Sequence, residues 1–302
     1  MTDIIRAYAL LVLSAWNASP LLPTAPSGEA RQKPRAAAAQ EREGKEVALE
    51  GSPGDIVRWS VPGTRSCGMA GKTWRAVQET CYYPIDVARK PGTVTVTRRG
   101  AGGSVSRARI TVVDVSFGSE NIQLGDIPQR NPSEADLRRN AREQARMARL
   151  WRKAEGPARF TLPLAPPLEP MPEGKGFGST WIFNTTPETT ETHAGLDYAV
   201  QAGDSVRSMA DGTVVLAENL FYSGNSVFVD HGNGLITGYL HLAEVNASVG
   251  QAIKRGERVG VVGDTGRTTG PHLHLAARWH GARVNPALLL RDPAKMPAIE
   301  GR

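Results

Sequence analysis

Glycine and proline interrupt this chain so often that only one long run of helical spacing survives. The 302 residues include 32 Gly and 21 Pro, residue types that punctuate turns and weaken or break helices. From Ser133 to about Ala154, Leu137, Ala141, Ala148 and Trp151 recur at helical spacing. Ser133 with Asp136 three positions later gives a capping-box-like start after Pro132. Elsewhere the apolar runs are short. The chain is therefore expected to be mainly β, built from strands and turns rather than as a helical bundle.

Its length suits two compact domains and a connection. Residues 1–19 contain about ten apolar residues, AYALLVLSAW. That run is too short to span a bilayer but fits the apolar region of a secretory signal. Residues 20–44, rich in Pro, Ala, Arg, Glu and Gln, read as a flexible linker. Over 45–116, Val57, Trp59 and Val61 share one parity, as do Val94 with Val96 and Ile110 with Val112. This predicts a small β-rich accessory domain, cut into strands by Pro-Gly and Gly-Gly pairs.

Residues 117–172 hold the helix, whose arginines predict a solvated face, and a proline-rich connection. Residues 173–302 return to strands and are expected to form an antiparallel β-sheet domain with a groove. There 226–230 and 235–242 flank His231-Gly232-Asn233-Gly234, a strong hairpin signal. No other segment is apolar and long enough to cross a membrane, so no integral span is expected once a signal is removed.

The net charge of +6 and pI near 9.5 attract polyanions. Nucleic acid is not the expected partner, because neither an RNA-binding aromatic signature nor zinc-finger spacing is present. In an exported protein, the two cysteines, Cys67 and Cys81, 14 positions apart, are expected to pair.

All six histidines follow residue 190, and four of them, with Asp197 and Tyr239, fall in three ordered groups. These are His193-Ala-Gly-Leu-Asp197, Tyr239-Leu-His241 and His272-Leu-His274. Strand side chains alternate, so members separated by an even number share a face. Each group, Tyr239 included, is thus expected to present its polar members to one groove. A catalytic zinc ion takes three protein ligands, typically imidazoles and a carboxylate, and keeps one position for water. Four histidines and one aspartate leave two histidines over, free to orient water, move protons or stabilise an oxyanion. Spacing alone does not divide the five among these roles. His231 and His280 adjoin turn glycines and are expected to face solvent.

Over roughly 180–284 the chain resembles the lysostaphin-type (LytM-like) zinc metallopeptidases, a family of peptidoglycan endopeptidases. HAGLD, ADGTVVLAE, GNSVFVDHGNGLITGYLHL, VGQAIKRGERVG and GDTGRTTGPHLHL carry the resemblance. The resemblance implies one zinc per chain, held by His193, Asp197 and His274, with His241 and His272 catalytic. It implies hydrolysis of amide bonds in stem peptides or cross-links, and a place in the periplasm or envelope of a bacterium. Where many members carry an acidic residue shortly after the final motif, Ala276 and Ala277 stand here. A non-catalytic wall-binding or regulatory protein of the same fold is the alternative, weakened because none of the five positions is missing. The long stretch before the peptidase-like part also raises the expectation that the first domain or the basic helix restrains the groove.

Overall fold

A computed structural model describes residues 47–153 and 156–300. The stretches expected as a signal and a flexible linker lie outside the described residues. The described chain is mainly β. Its first strands are β1 (Val47–Gly51), β2 (Ile56–Ser60), β3 (Thr64–Met69), β4 (Lys72–Arg75), β5 (Thr80–Pro84), β6 (Gly92–Gly100) and β7 (Val105–Val112). They form a five-stranded sheet in the order β1-β7-β6-β3-β4, faced by the pair β2-β5.

The parity of the apolar residues sets the register here. Val94 pairs with Ile110 and Val96 with Ala108, and Val57, Trp59, Tyr83, Val96 and Ile110 close one core. A disulfide joins Cys67 on β3 to Cys81 on β5, stapling the sheet to the facing pair. The pair β2-β5 has a second apolar side. Ile56 and Tyr82 belong to the core of the following domain, and Tyr82 stacks on Trp279 with ring centroids 5.1 Å apart.

The connection contains more structure than its sequence suggests. Strand β8 (Ser119–Ile122) runs parallel to β9 (Thr180–Phe183), which pairs antiparallel with β10 (Thr189–Thr192). β8 lies at the sheet edge and has no apolar alternation, so nothing in its sequence marks it as a strand. Helix α1 (Glu134–Lys153) begins where the capping box places it. The Ser133 N–H donates to Asp136 Oδ2, and the Asp136 N–H donates to Ser133 Oγ. Its arginines 138, 142, 146 and 149 are exposed, whereas Met147 is buried. Ala141, expected on the apolar side, is exposed.

The remaining strands are β11 (Gly195–Tyr198), β12 (Ser205–Arg207), β13 (Gly212–Leu220), β14 (Gly224–Asp230), β15 (Leu235–Val245), β16 (Ala252–Ile253), β17 (Arg258–Val262), β18 (Leu273–Trp279) and β19 (Ala282–Arg283). Their sheet runs β11-β18-β15-β14-β13-β16, with β17 joining β12 to β15. The expected hairpin is β14-β15, and its turn uses left-handed backbone at Gly232, Asn233 and Gly234.

Both faces of this sheet are covered. Leu273, Leu275, Ala277 and Trp279 point into the main core. On the other face Leu216, Phe228, Ile236 and Leu240 pack beneath Met147 and Trp151 of α1. His274 and Arg278 alternate with the main-core residues of β18, and Arg278 lies over the Trp151 ring. The histidine cluster and α1 therefore share one face of the sheet.

Two histidines depart from the sequence expectation. His231 does not face solvent; it is fully buried. Its Nδ1–H donates to the Asp211 carbonyl at 2.9 Å, and the Thr237 hydroxyl lies 2.8 Å from Nε2. Both ring nitrogens have partners, so a polar ring is tolerated inside. His280 is half-buried, stacked on Trp74 with centroids 4.1 Å apart. The adjoining glycines make the turns but leave the rings free to fold inward.

Candidate metal centre

His193 lies two residues before β11, Asp197 within it and His274 on the neighbouring β18. Asp197 and His274 are direct cross-strand partners, so their side chains rise on one face about 5 Å apart at Cβ. Leu240 on β15 pairs with His274 from the other side. Gly195 is required beside them, because a Cβ there would come within 2.4 Å of His274 Nε2. The indole of Trp181 on β9 stacks on His193, with centroids 3.9 Å apart and planes 17° apart. Sequence reasoning missed Trp181, which carries no signal beyond being an aromatic in a short strand.

Three atoms converge. His193 Nε2 lies 3.1 Å from Asp197 Oδ1 and 2.9 Å from His274 Nδ1, which lies 2.8 Å from the same Oδ1. These are the only such group among the described residues. Hydrogen bonds alone cannot satisfy this triangle. If both imidazoles direct N–H at the carboxylate, two N–H groups oppose each other; if one directs a lone pair, it opposes the carboxylate oxygen. A cation accepting all three lone pairs removes the conflict, and the separations suit ligand distances of about 2.0–2.2 Å around one ion.

Burial raises the pKa of the Asp197 carboxyl, but hydrogen bonds from His193 and His274, reinforced by their charge, outweigh it and hold the group well below the usual carboxylate range. Burial pushes His274 down. It also pushes His241 down, helped by charge on His272 and His274, to about 3. Asp197 is thus an anion at neutral pH, and burial favours the neutral form of His241 and His274.

His241 and His272 lie beside the triangle. Their ring centroids are 4.8 Å apart, and His272 Nε2 is 3.7 Å from Asp197 Oδ1. Each Nδ1 sits 2.8 Å from a backbone carbonyl, that of Thr265 for His241 and of Gly270 for His272. A carbonyl only accepts, so both rings carry their proton on Nδ1 and their lone pair on Nε2. His272 Nε2 is buried without a partner.

Tyr239 does not join this group. Its hydroxyl points into the core and accepts the Met209 N–H at 2.9 Å. Between β14 and β15 the register slips: between the pairs Asn225–Leu242 and Val227–Tyr239, one residue (226) opposes two (240 and 241). His241 at the slip has a positive φ of 61°. The extra residue and the left-handed backbone reverse parity between Tyr239 and His241.

The description "Peptidase family M23" matches residues 191–286, a span containing all five site residues. These residues form a peptidase family M23 domain. The M23 domain is 45% identical over 93 residues to peptidoglycan DD-endopeptidase ShyA of Vibrio cholerae, covering 31% of this chain and 22% of that protein. It is 44% identical over 98 residues to the DD-carboxypeptidase/endopeptidase Mpg of Neisseria meningitidis, covering 32% and 23%. The chain thus spans about a fifth of the length of these curated relatives. A crystal structure from Pseudomonas aeruginosa assigned to peptidase M23 is similar over 79% of this chain and 94% of that one, at 28% identity and a TM-score of 0.60. That likeness is wider than the M23 domain and extends into the strands before it.

Proposed function

We propose that the chain is a zinc-dependent endopeptidase that hydrolyses amide bonds in peptidoglycan stem peptides or cross-links. The convergence of His193 Nε2, Asp197 Oδ1 and His274 Nδ1 beside two further imidazoles carries this reading. Two imidazoles and one carboxylate are a donor set suited to catalytic zinc, and the single group supports one ion per chain. Zinc bound there supplies a Lewis acid and brings the pKa of a coordinated water from 15.7 to about 7.

The chain's own residues do the rest. His193, Asp197 and His274 hold the ion. His241 and His272 present Nε2 lone pairs toward the reacting groups, because their Nδ1 protons are committed to Thr265 and Gly270. One takes a proton from the attacking water as the C–O bond forms; in the protonated state it donates to the departing nitrogen as the C–N bond breaks. The other accepts the second O–H of that water at its Nε2 lone pair and so orients it for attack. No covalent enzyme intermediate is required.

The ShyA and Mpg names support peptidoglycan as substrate, and the cationic surface suits an acidic polymer. An exported, envelope location follows from that substrate. No described helix is long and apolar enough to cross a membrane. Replacing His274 by Ala is expected to abolish zinc binding and release of peptide fragments from purified peptidoglycan together. Full hydrolysis by the metal-free variant would refute the reading.

A further inference from the structure

The segment between β17 and β18, GDTGRTTGP, supplies both carbonyls that fix the histidine tautomers, yet has little regular structure of its own. Its ends are drawn together where the His272 N–H donates to the Gly263 carbonyl. Its first turn is well anchored. Thr265 Oγ1 accepts the Asn225 N–H and donates to the Leu242 carbonyl, each at 2.8 Å. Gly266 approaches Gly224 so closely that a Cβ would meet the Gly224 nitrogen at 2.4 Å, and its φ of +83° also demands glycine.

Within the tip Thr268 Oγ1 donates to the Gly270 carbonyl and accepts the Gly270 N–H, and Arg267 ties it to the rest of the domain. The Arg267 N–H donates to the Tyr222 carbonyl, and the guanidinium reaches across to β10, where it pairs with Glu191 at 2.5 Å. It lies 3.9 Å from the Phe183 ring centroid and 4.5 Å from that of Tyr222, between the two. The Arg267 and Glu191 side chains are 11% and 21% exposed. Glu191 is the cross-strand partner of Trp181, the ring stacked on His193.

We propose that Arg267 is a positioning residue whose pairing with Glu191, between Phe183 and Tyr222, clasps the 264–271 loop to the β9-β10 hairpin and so keeps His241 and His272 in their Nδ1–H form. The clasp spans the two halves of the site: the hairpin leads into His193, and the loop carries the acceptors behind both free histidines. A buried ion pair returns little net stability once its desolvation is counted. Its planar, forked geometry does fix direction, and stacking adds to that. Misplacing a catalytic group by about 1 Å costs on the order of 100-fold in rate.

The kinetic part rests on the peptidase reading; the spectroscopic part does not. In full-length, zinc-loaded protein labelled with ¹⁵N-histidine, long-range ¹H–¹⁵N spectra report the tautomer of each ring. The Arg267→Met/Glu191→Gln double variant removes the pair without stranding a charge, and Arg267→Lys keeps the charge but not the fork. The double variant is expected to retain zinc, to lose the pure Nδ1–H pattern at His241 and His272, and to lower kcat on a soluble cross-linked muropeptide by roughly 10- to 100-fold with little change in KM. Arg267→Lys should restore part of both signals. Should the double variant fail to fold, the lysine variant alone carries the test, with an intermediate shift of both tautomer pattern and kcat expected. Unchanged tautomers and kcat would overturn the proposal, as would loss confined to KM or in proportion to lost zinc. If wild-type protein leaves peptidoglycan intact while the tautomers still respond, the substrate reading falls and the clasp stands.

Discussion

His241 and His231 are ten residues apart on one hairpin, yet they meet opposite fates. His241 is lifted by a register slip toward the M23 cluster, with its lone pair free for chemistry. His231 is buried with both nitrogens occupied, and burial pushes its pKa down to about 4. In the unfolded chain a histidine titrates near 6.5. The folded state therefore binds this proton less readily, and the contribution of His231 to stability is complete above about pH 6.5 and is lost as pH falls toward 4. His231→Gln is expected to flatten that part of the stability–pH curve, measured by urea unfolding between pH 7 and 4. An unchanged slope would show that the loss arises elsewhere. The sequence disclosed the residues that share a face on regular strand, Asp197 and His274 above all, because alternation encodes it. It could not disclose Tyr239 pointing inward or His231 buried, since the first depends on one inserted residue and the second on partners at 211 and 237.

At the scale of elements, the β14-β15 hairpin and the helix were legible from turn chemistry and capping. Strand β8 was not, because Ser119–Ile122 takes its strand form from pairing with β9 rather than from apolar alternation. The helix face was legible only in part. Ala141 is exposed, while Asn140 and Glu143 are buried, and Glu143 accepts the Phe221 N–H at 2.9 Å. Polar residues that cap a neighbouring loop look like surface residues in sequence. The helix is joined to the sheet through Met147, 4% exposed and packed among Leu216, Phe228 and Leu240. Met147→Ala is expected to cost about 2–5 kcal/mol by leaving a cavity there. Thermal unfolding measures that cost, and kcat of the folded fraction should stay at the wild-type level, since Met147 lies under Leu240 rather than among the histidines. A large fall in kcat without loss of stability would mean that α1 acts on the site directly.

At the scale of the whole molecule, the expectation that the first β unit restrains the groove meets the geometry of its docking. Tyr82 stacks on Trp279, Trp74 on His280, and Asp86 pairs with Arg283. These contacts fall at the far end of β18, in the turn beyond it and on β19, starting five residues from His274, or roughly 17 Å along a strand. The chain's end returns to the first unit as well. Ile299 fills its core, and the Ile299 N–H donates to the Arg58 carbonyl. The first unit is thus docked at the end of the sheet away from His274. Asp86 is the clearest test. Burial raises its pKa, but the Arg283 hydrogen bonds and charge outweigh this and hold it below the ordinary value. A depressed carboxyl contributes stability that is present above about pH 4 and lost as pH falls through its folded pKa. With the Arg283 side chain only 1% exposed, Asp86→Asn takes the carboxylate away from a buried cation and is expected to cost about 3–5 kcal/mol at pH 7, while flattening the acid limb below pH 4. If the units are one cooperative body, calorimetry of the variant shows a single transition at lower temperature. Two transitions, with the M23 part unfolding at its original temperature, would make the first unit separable. A fragment of residues 159–302 would then become a fair probe of restraint; in the docked arrangement that fragment exposes Trp279 and leaves Arg283 without Asp86, so lost activity would report damage rather than release.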